Sequence, residues 1–296
     1  WSRLIITRVK MVESTRTVDA LFDHLFHKRI EEGPRPTAYG TKGRGSFAGS
    51  CSRQISFEML NVPESDPIDL KTLLAFRTGT LLHSMAQDAM EFTHGMIREY
   101  PIDLRNKYGW DISGNADGLY TDENGDQVLW ELKSKSSFGF NKAKKDPQPD
   151  RHEIAQVGMY AISADLDVKY IHLVYLCKDQ SYGRNKTQAG ECIEWIIGLD
   201  EPVPGQYGDT VRQIANEEAN RISSIVKETF EEGCLPQRYI PDSGIVYNVP
   251  DPDSSVQPWR CRFCRYNSMC AGMPTEKTSI EETLIPLVLQ QEKGTL

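Results

Sequence analysis

The stretch WDISGNADGLYTDENGDQVLWELKS, residues 110–134, decides how the chain is read. Two runs suited to strands, Trp110–Tyr120 and Gln127–Ser134, flank Thr121-Asp122-Glu123-Asn124-Gly125-Asp126. Asn-Gly between such runs is a strong hairpin signal, because both residues tolerate the positive φ that a tight reversal needs. Residues two apart in a strand share a face, so Glu131 and Lys133 project to the same side, and Asp117 on the first arm brings a second carboxylate to them. Two carboxylates and an ammonium in one pocket suit a hydrolytic metal site. Carboxylate oxygens can hold Mg²⁺ or Mn²⁺ against a scissile phosphate, where the ion acidifies water and offsets developing negative charge. Lys133 then orients the water or helps to deprotonate it; the alternative is an ordinary Glu/Lys pair on a surface hairpin.

Working outward, the pattern predicts a strand at Leu4–Val9, a helix at about 18–32 stopped by Gly33-Pro34, and a helix from Cys51 through Leu60. A longer helix covers Leu70–Phe92, and an extended segment, Met96–Leu104, leads into the hairpin. After Lys135 the chain reads as a basic, glycine-containing stretch with Lys142, Lys144 and Lys145. A helix over about 151–164, strands at Lys169–Cys177 and Cys192–Ile197, and a helix over about 210–232 complete a mixed α/β pattern. The Pro- and Asp-rich run 241–258 separates this from a cysteine-bearing segment and a final peripheral helix, 278–291. The expected division is 1–95 (helical), 96–205 (core) and 206–296 (helical, with the cysteines).

Other residues gather around the hairpin. His83, inside the long helix, offers an imidazole nitrogen that would favour Mn²⁺ if it reached the carboxylates. Gln156 and Tyr160 are one helical turn apart and face the same way; Gln156 can hold a water or phosphate, and Tyr160 a nucleotide or the lysine, with simple packing as the alternative. Cys261, Cys264 and Cys270 form a CxxCx₅C arrangement, three thiols that suggest a zinc or iron-sulfur centre lacking one ligand. Cys177, Cys192 and Cys234 have no comparable spacing.

The set Gly79 to His83, Gly114 to Asp117, Glu131 to Lys133 and Gln156 to Tyr160 resembles the RecB-like branch of the PD-(D/E)XK nuclease superfamily, particularly the Cas4-type nucleases. Cys51-Ser52-Arg53-Gln54 is similar to the early CPRx segment of such nucleases, with Ser52 in place of the common proline. The resemblance implies an α/β restriction-endonuclease-like core whose helical region is clamped by a [4Fe-4S] cluster on Cys51, Cys261, Cys264 and Cys270. It further implies metal-dependent DNA cleavage, with His83, Asp117, Glu131 and the main-chain oxygen of Leu132 as ligands and Lys133 as the active-site lysine. The implied substrate is single-stranded DNA with a free end, degraded 5′ to 3′ in recombination, repair or end processing. A prespacer-processing nuclease of CRISPR adaptation, working with an integrase, and a DNA-binding assembly subunit without cleavage are the alternatives. A homo-oligomer and a recombination partner also stay open.

Composition is compatible with all of these. The 296 residues, 39% hydrophobic and 26% charged, describe an ordinary folded protein rather than a disordered one. With 34 basic and 42 acidic residues the net charge is −8, which excludes a globally basic nucleic-acid wrapper but not a local groove lined by Lys42, Arg44, Arg53 and Lys142 to Lys145. Arg260, Arg262 and Arg265, interleaved with Trp259, Phe263 and Tyr266, offer a second place for phosphate and base contacts. No run reaches the roughly 18 apolar residues of a membrane span, and no signal-peptide pattern opens the chain, so a cytoplasmic protein without membrane contact is expected. Seven cysteines, an odd number, argue against a complete disulfide framework.

Overall fold

Asn124-Gly125 reverses the chain as expected, with Gly125 at φ 84° and its N–H donating to the Asp122 carbonyl at 3.0 Å. The structure, a computed structural model, describes residues 15–32, 39–66, 68–145, 147–163, 167–182, 186–240, 245–246 and 259–292. The strand expected at Leu4–Val9, the Gly33-Pro34 stop and most of the run 241–258 lie outside the described residues.

In chain order come α1 (Thr15–Glu32), β1 (Gly43–Arg44) with a 3₁₀ turn after it, α2 (Ser52–Met59) and α3 (Leu70–His94). The start of α3 is fixed by Asp69, whose side chain accepts the Thr72 N–H, and its end by Gly95 in the left-handed region. Then follow β2 (Ile97–Asp103), the short α4 (Arg105–Tyr108), β3 (Ile112–Thr121) and β4 (Gln127–Lys135). Beyond the hairpin lie α5 (Ser137–Lys145), α6 (Arg151–Ser163), β5 (Val168–Cys177), β6 (Cys192–Gly198) and α7 (Val211–Phe230), which opens on a Thr210/Gln213 capping box. The remainder is short: β7 (Cys234–Leu235), β8 (Tyr239–Ile240), β9 (Ile245–Val246), α8 (Trp259–Arg262), α9 (Asn267–Ala271), β10 (Thr278–Ser279) and, after a π turn over Ile280–Leu284, α10 (Ile285–Glu292).

Among the described residues the principal sheet has six strands. Central β4 runs parallel to β5 and antiparallel to β3; β3 also pairs antiparallel with β2 and, at its start, parallel with β1, while β6 is antiparallel on β5. A parallel neighbour requires a crossover, and α5 and α6 supply it. Strand β4 is covered on both sides, which accounts for the unbroken apolar run Val128-Leu129-Trp130. Trp130 and Leu132 pack with Met96 and Val174, and with Ala86 and Met90 of α3, on one face. On the other face α6, buried from Glu153 to Ser163 except for half-buried Gln156, lies between the sheet and α7. Gly158 makes this layering possible, since a Cβ there would stand 3.0 Å from Ala215 Cβ.

Two expectations change. The basic stretch after Lys135 is helical, anchored by buried Phe140, whose N–H bonds the Ser136 carbonyl. The C-terminal segment is not one helix: Thr278 and Ser279 pair antiparallel with Leu235 and Cys234, and α10 begins only at Ile285.

A larger correction concerns what holds the helical periphery. A mixed β-sheet core is present, but among the described residues no iron-sulfur cysteine set clamps α2 to the C-terminal segments. Among the described residues, the one group of three metal-capable side chains whose ligand atoms all fall within 4.8 Å is Asp150, His152 and Glu153; no three cysteine sulfurs do so. The tie is made by other means. Arg53, 0% exposed, donates to the carbonyls of Pro236, Pro274, Thr275 and Glu276. Around it Phe57, Leu235, Tyr266, Met269, Met273 and Leu284 form a separate apolar cluster. CxxC spacing thus reflects two short helices seated on an apolar cluster rather than thiolates drawn together.

Candidate active site

The antiparallel ladder between β3 and β4 runs only as far as Gly118 opposite Trp130. One residue beyond, the Asp117 carboxylate replaces the missing backbone acceptor: its Oδ2 accepts the Leu132 N–H at 2.8 Å. The strands therefore part at this point, and polar groups occupy the gap. A strand residue directs N–H and C=O to the same edge, so the Leu132 carbonyl faces this gap too.

Strand β4 places Glu131 and Lys133 on the α6 side. Lys133 Nζ donates to Glu131 Oε1 at 2.9 Å and to Gln156 Oε1 at 2.9 Å, and Gln156 Nε2 donates to Glu131 Oε1 at 3.0 Å. A closed triangle results, with each member fixed by the other two. Gln156 Nε2 also reaches Tyr160 Oη at 3.4 Å. Tyr160 is a buried prop beneath Gln156; its ring fills space left by Gly45 and Gly114, where any Cβ would stand 2.2 and 2.8 Å from its Cε1. Burial raises its hydroxyl pKa well above the ordinary value, with the Glu131 charge adding to the effect.

Helix α3 contributes His83, whose Nδ1 lies 3.3 Å from Asp117 Oδ2. One turn on, Gln87 Nε2 donates to the Asp117 carbonyl and to Glu99 Oε1, each at 2.9 Å. Gln87 escaped the sequence reading, although its spacing from His83 puts both on one helix face.

The electrostatics single out Glu131. Its residue is 2% exposed, and Oε2 is buried without a hydrogen-bond partner. Burial and the nearby Asp117 charge push its carboxyl up to about 7, only partly countered by Lys133. Burial also works against the Lys133 ammonium, yet the charges of Glu131, Glu153 and Asp117 outweigh it and raise its pKa. The raised value favours the ammonium form in this arrangement, in which Lys133 donates to Glu131 and Gln156.

His83, Asp117, Glu131 and the Leu132 carbonyl face one gap with nitrogen and oxygen donors suited to a hard or borderline divalent cation. The unpartnered Glu131 Oε2 is an acceptor such an ion satisfies, so the residues fit the group, although His83, Asp117 and Glu131 do not all draw within 4.8 Å here.

The cysteines and basic groups behave differently. Cys51, Cys261, Cys264 and Cys270 line one cavity of about 350 Å³, together with Phe57, His152 and Arg238. Burial pushes Cys261 up to about 11 and Cys264 up to about 12, and raises Cys270, so these sulfurs are held as neutral thiols. The expected [4Fe-4S] cofactor is withdrawn on the convergence described above, where the donors that meet are Asp, His and Glu rather than cysteine. Arg53 is withdrawn as a nucleic-acid contact because it is buried on carbonyls. Arg265 is bound by Glu58 at 2.7 Å and Glu64 at 3.0 Å, and Tyr266 is buried edge-on to Phe57. Lys144 pairs with Glu191 at 2.6 Å, and Lys42 lies 4.9 Å above the Phe230 ring.

No family model matches the chain, and no curated protein does. Solved structures show likenesses. The crystal structure of SSO0001 is 15% identical, spans 88% of this chain and 98% of its own, and superposes with a TM-score of 0.47. An alkaline exonuclease from Laribacter hongkongensis is 15% identical over 66% of this chain and 92% of its own, TM-score 0.43. The same exonuclease in complex with dAMP is 16% identical over 64% and 88%, TM-score 0.41. These likenesses assign the chain no family. The expected Cas4-type membership, defined by its four-cysteine cluster, is therefore corrected along with the cluster. Among the described residues no helix is long and apolar enough to cross a membrane.

Proposed function

We propose that the chain is a nuclease that hydrolyses phosphodiester bonds of DNA at the gap between β3 and β4, acting on free single-stranded ends in the 5′ to 3′ direction. The observation that carries the reading is the buried, unpartnered Oε2 of Glu131, set between the Asp117–His83 pair and the Lys133–Gln156 pair. A lone buried carboxylate oxygen is unfavourable in a finished structure, and its retention points to a ligand that satisfies it.

The residues that would hold a divalent cation are Asp117, Glu131, His83 and the Leu132 carbonyl. Bound there, the ion would supply Lewis acidity toward phosphate and acidify water. The chain's own groups do the rest. Lys133 fixes the rotamer of Glu131 and brings positive charge to the edge where phosphoryl oxygens accumulate negative charge. Gln156, held by Lys133, Glu131 and Tyr160, keeps the triangle closed and can present its amide to a water or a phosphate oxygen.

The test is a time course on end-labelled linear and closed circular single-stranded DNA with Mg²⁺ or with EDTA, using the wild type, Lys133→Ala and Glu131→Gln. Digestion of the linear strand alone, from its 5′ end, abolished by EDTA and by both substitutions, is the expected result. Digestion of the circle as well would replace the exonuclease with an endonuclease. DNA binding without cleavage by folded wild type would overturn the nuclease reading in favour of a binding subunit.

A further inference from the structure

A second group of ionisable side chains lies at the start of α6 and takes no part in the triangle. Asp150 immediately precedes the helix; His152 and Glu153 lie in its first turn. One ligand atom from each falls within 4.8 Å of the others. Donors on one cation, at about 2.0–2.4 Å from it, stand at most about 4–5 Å apart, so these three already satisfy the distance condition for sharing an ion.

The group is only partly neutralised. Lys135 Nζ lies 3.1 Å from Asp150 Oδ2 and 2.8 Å from Glu153 Oε1, one positive charge against two carboxylates. Its ammonium also stands 4.2 Å over the Tyr175 ring, and Tyr175 Oη is used by the Asp150 N–H at 2.9 Å. Glu153 Oε2 is buried and makes no hydrogen bond of good geometry, on a side chain that is 9% exposed, with the Tyr175 hydroxyl as its polar neighbour. This oxygen is independent of the one on Glu131.

The surroundings keep the group in place and open to entry. His152 is backed by Gly49, whose φ of 70° and missing Cβ let the loop pass; a Cβ there would lie 2.3 Å from His152 Cβ. Side-chain exposures of 49% for Asp150 and 34% for His152 leave a path from solvent. Lys133 and Lys135 share one face of β4, so the group lies about 7 Å along the strand from the triangle, while Glu153 precedes Gln156 by roughly one helical turn.

We propose that Asp150, His152 and Glu153 form a divalent-cation site, separate from the Asp117–Glu131 gap, in which a bound cation takes the place of the Lys135 ammonium. One imidazole and two carboxylates suit a borderline ion of the Mn²⁺ or Zn²⁺ class. The inference does not rest on the nuclease reading, since it concerns binding alone.

Mn²⁺ is the probe, because it has little affinity for the thiols. Free Mn²⁺ is counted by electron paramagnetic resonance during titration of the full chain stripped with EDTA, with circular dichroism confirming the fold of each variant. An Asp117→Asn background removes the other gap from the count. In that background one ion is expected to bind, His152→Gln and Glu153→Gln each to weaken it about ten-fold or more, and Lys135→Met to tighten it. Tightening on loss of Lys135 is a result that a purely structural salt bridge does not give. The proposal is overturned if the Asp117→Asn protein binds no Mn²⁺, if His152→Gln leaves binding unchanged, or if Lys135→Met weakens it. Loss of nuclease activity with this binding intact would count only against the other reading.

Discussion

At the scale of single residues, the gap is built from groups that restrain one another, and the restraint can be separated from packing at Tyr160. Removing only the hydroxyl, in Tyr160→Phe, leaves Gln156 its bonds to Lys133 and Glu131, so the cleavage rate is expected to fall by less than about ten-fold, a limit set by the modest net worth of one long hydrogen bond. Tyr160→Ala opens a cavity in the core, with an expected loss of about 3–5 kcal/mol in urea denaturation. A Tyr160→Phe protein as inactive as Lys133→Ala would make the hydroxyl a reacting group instead of a support. His172 gives a pH dependence away from the gap. It is buried between Tyr120 Oη at 3.0 Å and Glu194 Oε2 at 2.9 Å, and burial lowers its pKa below 6.5, against the opposing pull of Glu194. Between the lowered value and 6.5 the unfolded chain binds more protons than the folded one, so stability rises with pH there. The contribution is complete above about 6.5 and lost on acidification through the folded pKa. His172→Gln is expected to shrink the difference between denaturation midpoints at about pH 7.5 and about pH 5; an unchanged difference would assign the acid sensitivity elsewhere.

At the scale of elements, the decisive contact is between β3 and α6. Gly114 lies under Tyr160, so Gly114→Ala forces the ring, and with it Gln156, away from β4. A destabilisation of about 1–3 kcal/mol is expected from such overpacking, together with loss of cleavage, and Gly114→Ala combined with Tyr160→Phe should recover little, since the nearest ring carbon remains. This also explains what the sequence made legible. The hairpin, both flanking strands, α3, α6 and α7 followed from alternation, helical spacing and an Asn-Gly turn, because these are local patterns with one strong solution. The pair Glu131–Lys133 was legible for the same reason, and Gln156 from its place after the hairpin. Gln87 was not, because its role depends on where a strand ladder ends, and neither was the group at the start of α6, because Asp150, His152 and Glu153 look like an ordinary charged helix start until Lys135 is placed beside them. The cysteines misled for a related reason: spacing along the chain states how close thiols can come, whereas their separation is decided by the helices that carry them.

At the scale of the whole molecule, the described residues form a layered core and an outlying apolar cluster, and the Arg53 guanidinium is one of the ties that fasten α2 to the C-terminal segments, beside the Arg265 pairs with Glu58 and Glu64. Arg53 leaves α2 and donates to carbonyls from two separate segments, one at Pro236 and one across Pro274 to Glu276. Burial lowers its pKa from the usual guanidinium value, partly offset by the nearby Cys270 and Cys51. Replacing Arg53 by methionine keeps much of the apolar stem and strips the donors, so the buried Pro236 carbonyl loses its Arg53 partner at about 1–3 kcal/mol, and the part-buried carbonyls of Pro274 and Glu276 lose theirs at less. The loss should be local in structure even if it is large in energy, because α6, β3, β4 and β5 share a core that Arg53 does not enter. Hydrogen exchange is therefore expected to rise in Arg53→Met across residues 234–240 and 264–288, with the amides of β4 and β5 little changed below the global unfolding limit. A uniform rise through both regions would mean instead that the cluster and the sheet unfold as one unit, and that the C-terminal segments are part of the core rather than fastened to it.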